Sequence, residues 1–479
     1  MTATTEPQPL SSLEAYNITA LDCVNLPIHV PVAFVFTPVG IPAAVEALER
    51  GISRLVAQLP FLAGNVILNP GNGGVVRPPS DKYLEGSPIV CTQVHPKSIS
   101  VLHEPNFGFN DGISCDYFLP VPISLQTQDR SPVIRFRINV MTDGLILCVS
   151  FHHAAMDGLG VMNVIRMVGL CCASHNMPRL PVSCLTEATV RSRVLNITTS
   201  GSFMSMEGYG PHHWSHLRLT SCELRFPAKR VHQLGKLCND ILNKLVLEKQ
   251  ASNKDARKMN ELSTSDVFSA LLWLCGTRAR SGVRSQSTSS GASAADTTRL
   301  SLAVNIRGII KPPIPLSYLG NAMVVASDTH ARQEMKAPRT TTATAIDHDE
   351  LRLLTDLASK IRHIIQGVDH EYVCQVMKHI KQSQDRQDAS FYFPETFVTN
   401  MRLLNLHRWE FGPELGKVVN FDHLDTRING LCSILPRCQG KFEDPPWKVR
   451  VVLEPEAMQR LREDGLIRWA AKEGMPGKL

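Results

Sequence analysis

From Leu145 to Phe151 the chain is apolar at every position but Ser150, and it then runs directly into His152-His153-Ala154-Ala155-Met156-Asp157-Gly158. An unbroken apolar run of this length fits a strand covered on both faces. Asp143-Gly144 just before it is a turn signal, and Val133 to Val140 before that alternates in part. The stretch is therefore expected to be a hairpin whose second strand is buried. Val161, Val164, Ile165 and Val168 then recur at helical spacing. The paired histidines and the aspartate fall in a turn between a buried strand and a helix, where a rigid scaffold positions reactive groups well. Gly158 lets the backbone bend sharply there.

The rest of the chain mixes strands and helices. Val30 to Phe36 reads as a strand, and Val45, Leu48, Ile52, Leu55, Val56 and Leu59 mark a helix closed by Pro60. Ser200 to Gly210, rich in Gly, Ser and Met, suits a crossover linker. A charged helical stretch follows from Ala228 to Lys258. Ser263-Thr264-Ser265-Asp266 is a strong helix start before the apolar run Val267 to Leu274. Ser281 to Thr298 and Asp328 to Ala345 read as loops. Leu354, Leu357, Ile361, Ile364 and Ile365 define another helix. Trp447 to Leu453 is strand-like, and Glu456 to Lys472 is a charged helix. At 479 residues the chain exceeds what one core usually supports. The expected division is residues 1–198, a linker at 199–225, and residues 226–479, in an α/β or α+β protein.

Charge and cysteine usage exclude several classes. A net charge of +6 on this length is no nucleic-acid signature. The 13 cysteines form no C-x-x-C pair, so they read as reduced cytosolic thiols and not as a disulfide framework or zinc site. Met1 to Ser12 lacks the apolar core of a secretory signal, and no apolar stretch reaches membrane-spanning length.

His153 is the candidate general base, because imidazole is the side chain whose ordinary pKa lies nearest neutrality. A bare His-His pair is more often just polar strand-end residues, but the string with Asp157-Gly158 is far more restrictive. His212, His213 and His216 have metal-like spacing, yet they sit beside Pro211 in the expected linker with no acidic or thiol ligand near, so no metal is expected. There is no G-x-S-x-G elbow and no phosphate-binding G-x-x-x-x-G-K-[ST] loop.

At these residues the chain resembles the BAHD acyltransferases, in particular the fungal branch, similar to trichothecene O-acetyltransferases, that acylates hydroxyls of secondary metabolites. The resemblance covers nearly the whole chain. His152 to Gly158 matches HHxxxDG, Leu59 to Gly64 the PFLAG segment, and Ser263 to Asp266 with Trp273 the ST-x-D helix start. Val304 to Arg307 matches V-[ND]-x-R, Tyr318 to Asn321 matches Y-[FL]-G-N, and Glu410 to Gly416 matches the second signature, DFGPGLG in fungi. The resemblance implies two chloramphenicol-acetyltransferase-like α/β domains, each a mixed sheet flanked by helices, with the active-site channel between them. It implies a monomeric O-acyltransferase with no permanently bound cofactor, using acyl-CoA (acetyl-CoA favoured) and a small-molecule alcohol. His153 would be the base. Thr399, Asn400 or the Gly158 N–H would stabilise the oxyanion. Asp157 would be structural, paired with Arg307. Ser263, Thr264, Glu410, Gly412 and Gly416 would serve the cofactor surface.

Two departures stand out: the signature Asp is Glu410 with Glu414 replacing a Gly, and the family's T-S-W is Thr399-Asn400-Met401. Two alternatives stay open. One is a condensation-domain-like enzyme using carrier-bound thioesters and amines. The other is a non-catalytic CoA- or metabolite-binding relative.

Overall fold

The structure is a computed structural model that describes residues 16–69, 74–77, 88–103, 115–123, 130–197, 218–252, 261–281, 297–336, 345–383, 395–424, 427–437 and 444–471. Its strands are β1 (Tyr16–Asn17), β2 (His29–Phe36), β3 (Asn65–Leu68), β4 (Gly74–Arg77), β5 (Val90–Val94), β6 (Arg130–Pro132), β7 (Ile134–Met141) and β8 (Gly144–His152). In the second half they are β9 (Thr220–Phe226), β10 (Thr297–Asn305), β11 (Met323–Ala331), β12 (Thr396–Asn400), β13 (Asn420–His423), β14 (Leu431–Ile434) and β15 (Trp447–Leu453). The helices are α1 (Ala20–Cys23), α2 (Ile41–Gln58), α3 (Gly158–Ala173), α4 (Cys184–Leu195), α5 (Ala228–Ser252), α6 (Thr264–Arg280), α7 (His348–Gly367), α8 (His370–Gln382), α9 (Pro455–Glu463) and α10 (Gly465–Ala471).

The first large sheet runs β13-β2-β8-β7-β5 and is antiparallel except for the β5–β7 pair. All nine residues of β8 are buried, which is why its sequence does not alternate. Leu145, Leu147, Val149 and Phe151 pack with α2 and α3, while Ile146 and Cys148 meet Val101, Leu102 and Phe118 on the other face. A small antiparallel sheet, β1-β4-β3-β6, lies beside it.

The second large sheet runs β11-β10-β12-β14-β15-β9, with parallel pairs only at β10–β12 and β12–β14. One face, carrying Leu224, Phe226, Val398, Cys432, Ile434, Val449 and Val451, is covered by α5, α6, α7, α9 and α10. The opposite face carries Phe397 and Leu431, which join the core of the first half. The second sheet thus lies between its own helices and the first domain, and the seam between halves is a sheet face. α6 begins as its sequence requires: the Ser263 hydroxyl accepts from Asp266 N at 3.2 Å, and Asp266 Oδ2 accepts from Ser263 N at 2.8 Å.

Several sequence-based expectations change. Asp328 to Ala331 is not loop but the end of β11, an edge strand whose half-exposed polar residues hide its pairing to Thr297–Leu300. The terminal helix breaks at Asp464, whose Oδ1 accepts from Leu466 N at 2.9 Å and so starts α10. Residues 220–225 of the expected linker enter β9, and Thr297 and Thr298 of the expected loop open β10. Asn420–His423 crosses back to extend the first sheet beside β2. The segment Ser200 to Gly210, His212, His213, His216 and the expected helix end at Lys258 lie outside the described residues.

Candidate active site

The strand-to-helix turn separates its two histidines by strand alternation. His152 is fully buried, edge-on to His29 with ring centroids 5.1 Å apart, and its Nδ1 accepts from Ala154 N at 3.2 Å. His153 faces the other way and is only partly covered. Its backbone N–H donates to Ile28 O at 2.9 Å, fixing the turn to β2. Burial holds the His153 pKa below the ordinary imidazole value, with its own backbone carbonyl and the Asp157 charge opposing that shift. The ring therefore keeps an unprotonated nitrogen at neutral pH.

Asp157 points away from His153. It caps α3, with Oδ1 accepting from Gly160 N at 2.8 Å. Arg307 grips both its oxygens, at 2.8 and 3.0 Å, and Ala322 N donates to Oδ2 at 2.9 Å. Arg307, 1% exposed, also donates to Tyr318 O and Gly320 O, each at 3.0 Å. Gly160 sits so close to this loop that a Cβ there would lie 2.1 Å from Leu319 O. Gly158 opens α3 with open space where a Cβ would stand.

Around this pair lies a buried polar lattice that the sequence did not reveal. Asn321 Nδ2 donates to His153 O and to Asp22 Oδ1, both at 2.9 Å, and Asn25 donates to Asn321 Oδ1 at 2.7 Å. Arg191 joins Asp22 at 3.1 Å and Ala155 O at 3.1 Å. Glu187 accepts from Leu319 N and Gly320 N, both at 3.1 Å. Burial pushes its carboxyl pKa up, and Arg191 opposes the shift. The available signals were slight: a Thr19–Asp22 capping box and the i,i+4 pair Glu187–Arg191.

Thr399 and Asn400 part company. Thr399 lies opposite Ser433 in the parallel β12–β14 register, on the face turned to the first domain. Asn400 has the opposite parity. Its amide donates to Ser265 at 3.2 Å, and its carbonyl accepts from Arg402 N at 2.9 Å. Asn400 is thus exposed and tied to the start of α6. Ser263 spends its hydroxyl on the α6 cap, with Thr264 the next residue of that helix.

Glu410, Gly412 and Gly416 gather far from His153, against the distal end of α3. Phe411 is fully buried, edge-on to Phe36 at 4.9 Å. A Cβ on Gly169 would come 3.1 Å from Glu410 O. Gly412 and Gly416 have φ of +89° and +70°, and Gly416 N donates to Gly412 O at 2.8 Å. Glu410 is 70% exposed and pairs with Lys417 at 3.2 Å. The loop packs on the first domain's core.

The chain thus sets a histidine on the strand-to-helix turn of one sheet domain and packs the helix-free face of a second sheet into that domain's core. Residues 3–466 match the Transferase family model. The chain belongs to that family, the BAHD acyltransferases, and is an acyl-CoA-dependent transferase. It is 30% identical to the communesin N16 acyltransferase cnsK of Penicillium expansum, over 96% of this chain and 99% of that one. It is 26% identical to the fumigaclavine B O-acetyltransferase easN of Aspergillus fumigatus, over 89% and 91%. Among solved structures, F. sporotrichioides TRI101 complexed with coenzyme A and T-2 matches with a TM-score of 0.66 at 18% identity, covering 94% of this chain and 97% of that one. Vinorine synthase matches at 0.62 and 15%, covering 96% and 94%.

Proposed function

We propose that this enzyme transfers an acetyl group from acetyl-CoA to a hydroxyl of a fungal secondary metabolite, with His153 as general base and no covalent intermediate. The observation that carries the reading is the division of labour in the turn: Asp157 is consumed by Arg307, Gly160 and Ala322, which leaves His153 as the partly exposed base at the seam. His153 takes the hydroxyl proton as the oxygen attacks the thioester carbonyl, and returns it to the departing CoA thiolate. Thr399, on the facing sheet, and the Gly158 N–H would then stabilise the oxyanion. The name of a relative supports the substrate class: fumigaclavine B O-acetyltransferase is named for acetyl transfer to oxygen.

A second reading, an amine acceptor, is favoured by the name of the communesin N16 acyltransferase. The test is a mass-spectrometric screen of acetyl-CoA and longer acyl-CoAs against fungal alcohols and amines, with native and His153→Ala protein. Esters formed only by the native enzyme support the proposal. Amides alone favour the second reading, and product from His153→Ala removes His153 as base.

A further inference from the structure

One histidine near the seam has no part in the mechanism above. β13 belongs to the second half in sequence but forms the edge of the first sheet, with His423 opposite Val32. This places His423 between the first sheet and the helix-free face of the second. There its Nδ1 lies 2.8 Å from the hydroxyl of Ser433, the residue beside Thr399 in the β12–β14 register. Ser433 is 1% exposed, and among the described residues the His423 ring is the partner its hydroxyl has. A buried hydroxyl proton left unbonded is costly, so the hydroxyl donates and Nδ1 accepts. The ring proton then belongs to Nε2.

The preceding residue anchors this ring. Asp422 is buried and forms a two-pronged ion pair with Arg450, Nε to Oδ1 at 2.6 Å, and Arg450 also donates to Ser221 at 3.2 Å. Arg450 lies opposite Ser433 in the β14–β15 register, so the ion pair and the serine hold neighbouring points of one strand. Burial, the Arg450 charge and the His153 charge together push the His423 pKa down to about 3. His423 is thus partly exposed on the seam, one hydrogen bond from the residue that neighbours Thr399, and neutral near pH 7.

Resting on the reading of His153 as base, we propose that His423 is a catalytic hydrogen-bond donor of this site, its Ser433-held ring presenting Nε2–H to the thioester carbonyl oxygen as it becomes an oxyanion. The two histidines then divide the chemistry. In the step, the acceptor O–C bond forms, the C–S bond breaks, and the acceptor proton passes through His153 to the thiolate. His423 gives up no proton. A cationic His423 would also repel the protonated His153 that forms in the step, so its neutrality serves the mechanism.

The test uses initial rates of thiol release from acetyl-CoA with the alcohol accepted best in the screen above. His423→Phe is expected to lower kcat about 100-fold, the usual loss for one oxyanion donor, with the KM for acetyl-CoA little changed. His423→Gln, which keeps a donor, should recover about tenfold of that loss. Ser433→Ala, which frees the tautomer, should fall between native and His423→Phe. The acid limb of the pH profile should not move in any of them, because His153 sets it. A His423→Phe protein with native melting temperature and kcat within about threefold of native overturns the inference; so does a His423→Gln protein no better than His423→Phe. Should His423→Phe fail to fold, His423→Gln and Ser433→Ala decide by the same criteria. Native rates in the His423 variants beside an inactive His153→Ala defeat this inference alone, whereas an active His153→Ala defeats the base assignment on which it rests.

Discussion

The turn carrying His153 and the loop from Glu410 to Gly416 brace the two ends of α3, by different forces. At the N-terminal end the bracing is polar: Asp157, Arg307, Asn321, Asp22, Arg191 and Glu187 are buried and bonded to one another or to backbone. At the C-terminal end it is apolar and steric, resting on Phe411 and two glycines with positive φ, while the acid Glu410 points to water. The difference accounts for one of this chain's departures from its family. A carboxylate lengthened by a methylene is tolerated at Glu410, where its partner Lys417 is itself exposed. No such change is tolerated at Asp157, where every added atom would enter a filled, hydrogen-bonded site.

Four experiments would break or sharpen that contrast. The largest effect belongs to His153→Ala, expected to reduce kcat by about 10²–10⁴-fold with an unchanged melting temperature; near-native turnover would refute its role. In the native enzyme the acid limb of kcat/KM should lie below the ordinary histidine value, because burial lowers the His153 pKa. Next is Arg307→Ala, which strands a buried carboxylate and should cost about 3–5 kcal/mol in denaturant unfolding as well as activity. A loss under about 1 kcal/mol would mean that the pair behaves like a surface ion pair.

The third experiment is a pH series of stability. Burial lowers the His29 pKa to about 4, below the unfolded value of about 6.5. As pH falls from about 6.5 toward 4, the unfolded chain binds a proton that the folded ring refuses. Stability from this group is full above that window and declines within it, by up to about 1.4 kcal/mol per pH unit. His29→Phe should flatten that slope. The smallest effects lie at the far end of α3. Gly412→Ala, with φ of +89° and a Cβ 2.9 Å from Ala173 Cα, should cost about 1–3 kcal/mol and leave kcat alone. Glu410→Gln should change stability by less than about 0.5 kcal/mol. A larger loss from Glu410→Gln than from Gly412→Ala would invert the comparison.

What the sequence disclosed follows from how local each feature is. β8, the turn after it, the α6 cap and β15 rest on patterns within a few residues, and these are where the structure has them. The contact between Asp157 and Arg307 spans 150 positions and was reachable only through family resemblance. The bond between Asn321 and Asp22, 299 positions apart, left no local trace, although each residue sits in a short motif of its own. Asn-Phe-Asp-His at 420–423 has no strand pattern to read, because its polar residues meet Lys448 and Arg450 of β15 and the Ser433 hydroxyl of β14. For the same reason His423 went unnoticed: its surroundings come from strands distant in sequence.

β13 has a consequence for how the molecule can be taken apart. A fragment ending anywhere before Asn420 leaves β2 as a bare edge with unpaired backbone groups, an invitation to self-association. Cutting the chain between its halves thus produces no autonomous module. Any hybrid built from two relatives has to inherit β2 and β13 from one parent, or else re-evolve the join between them.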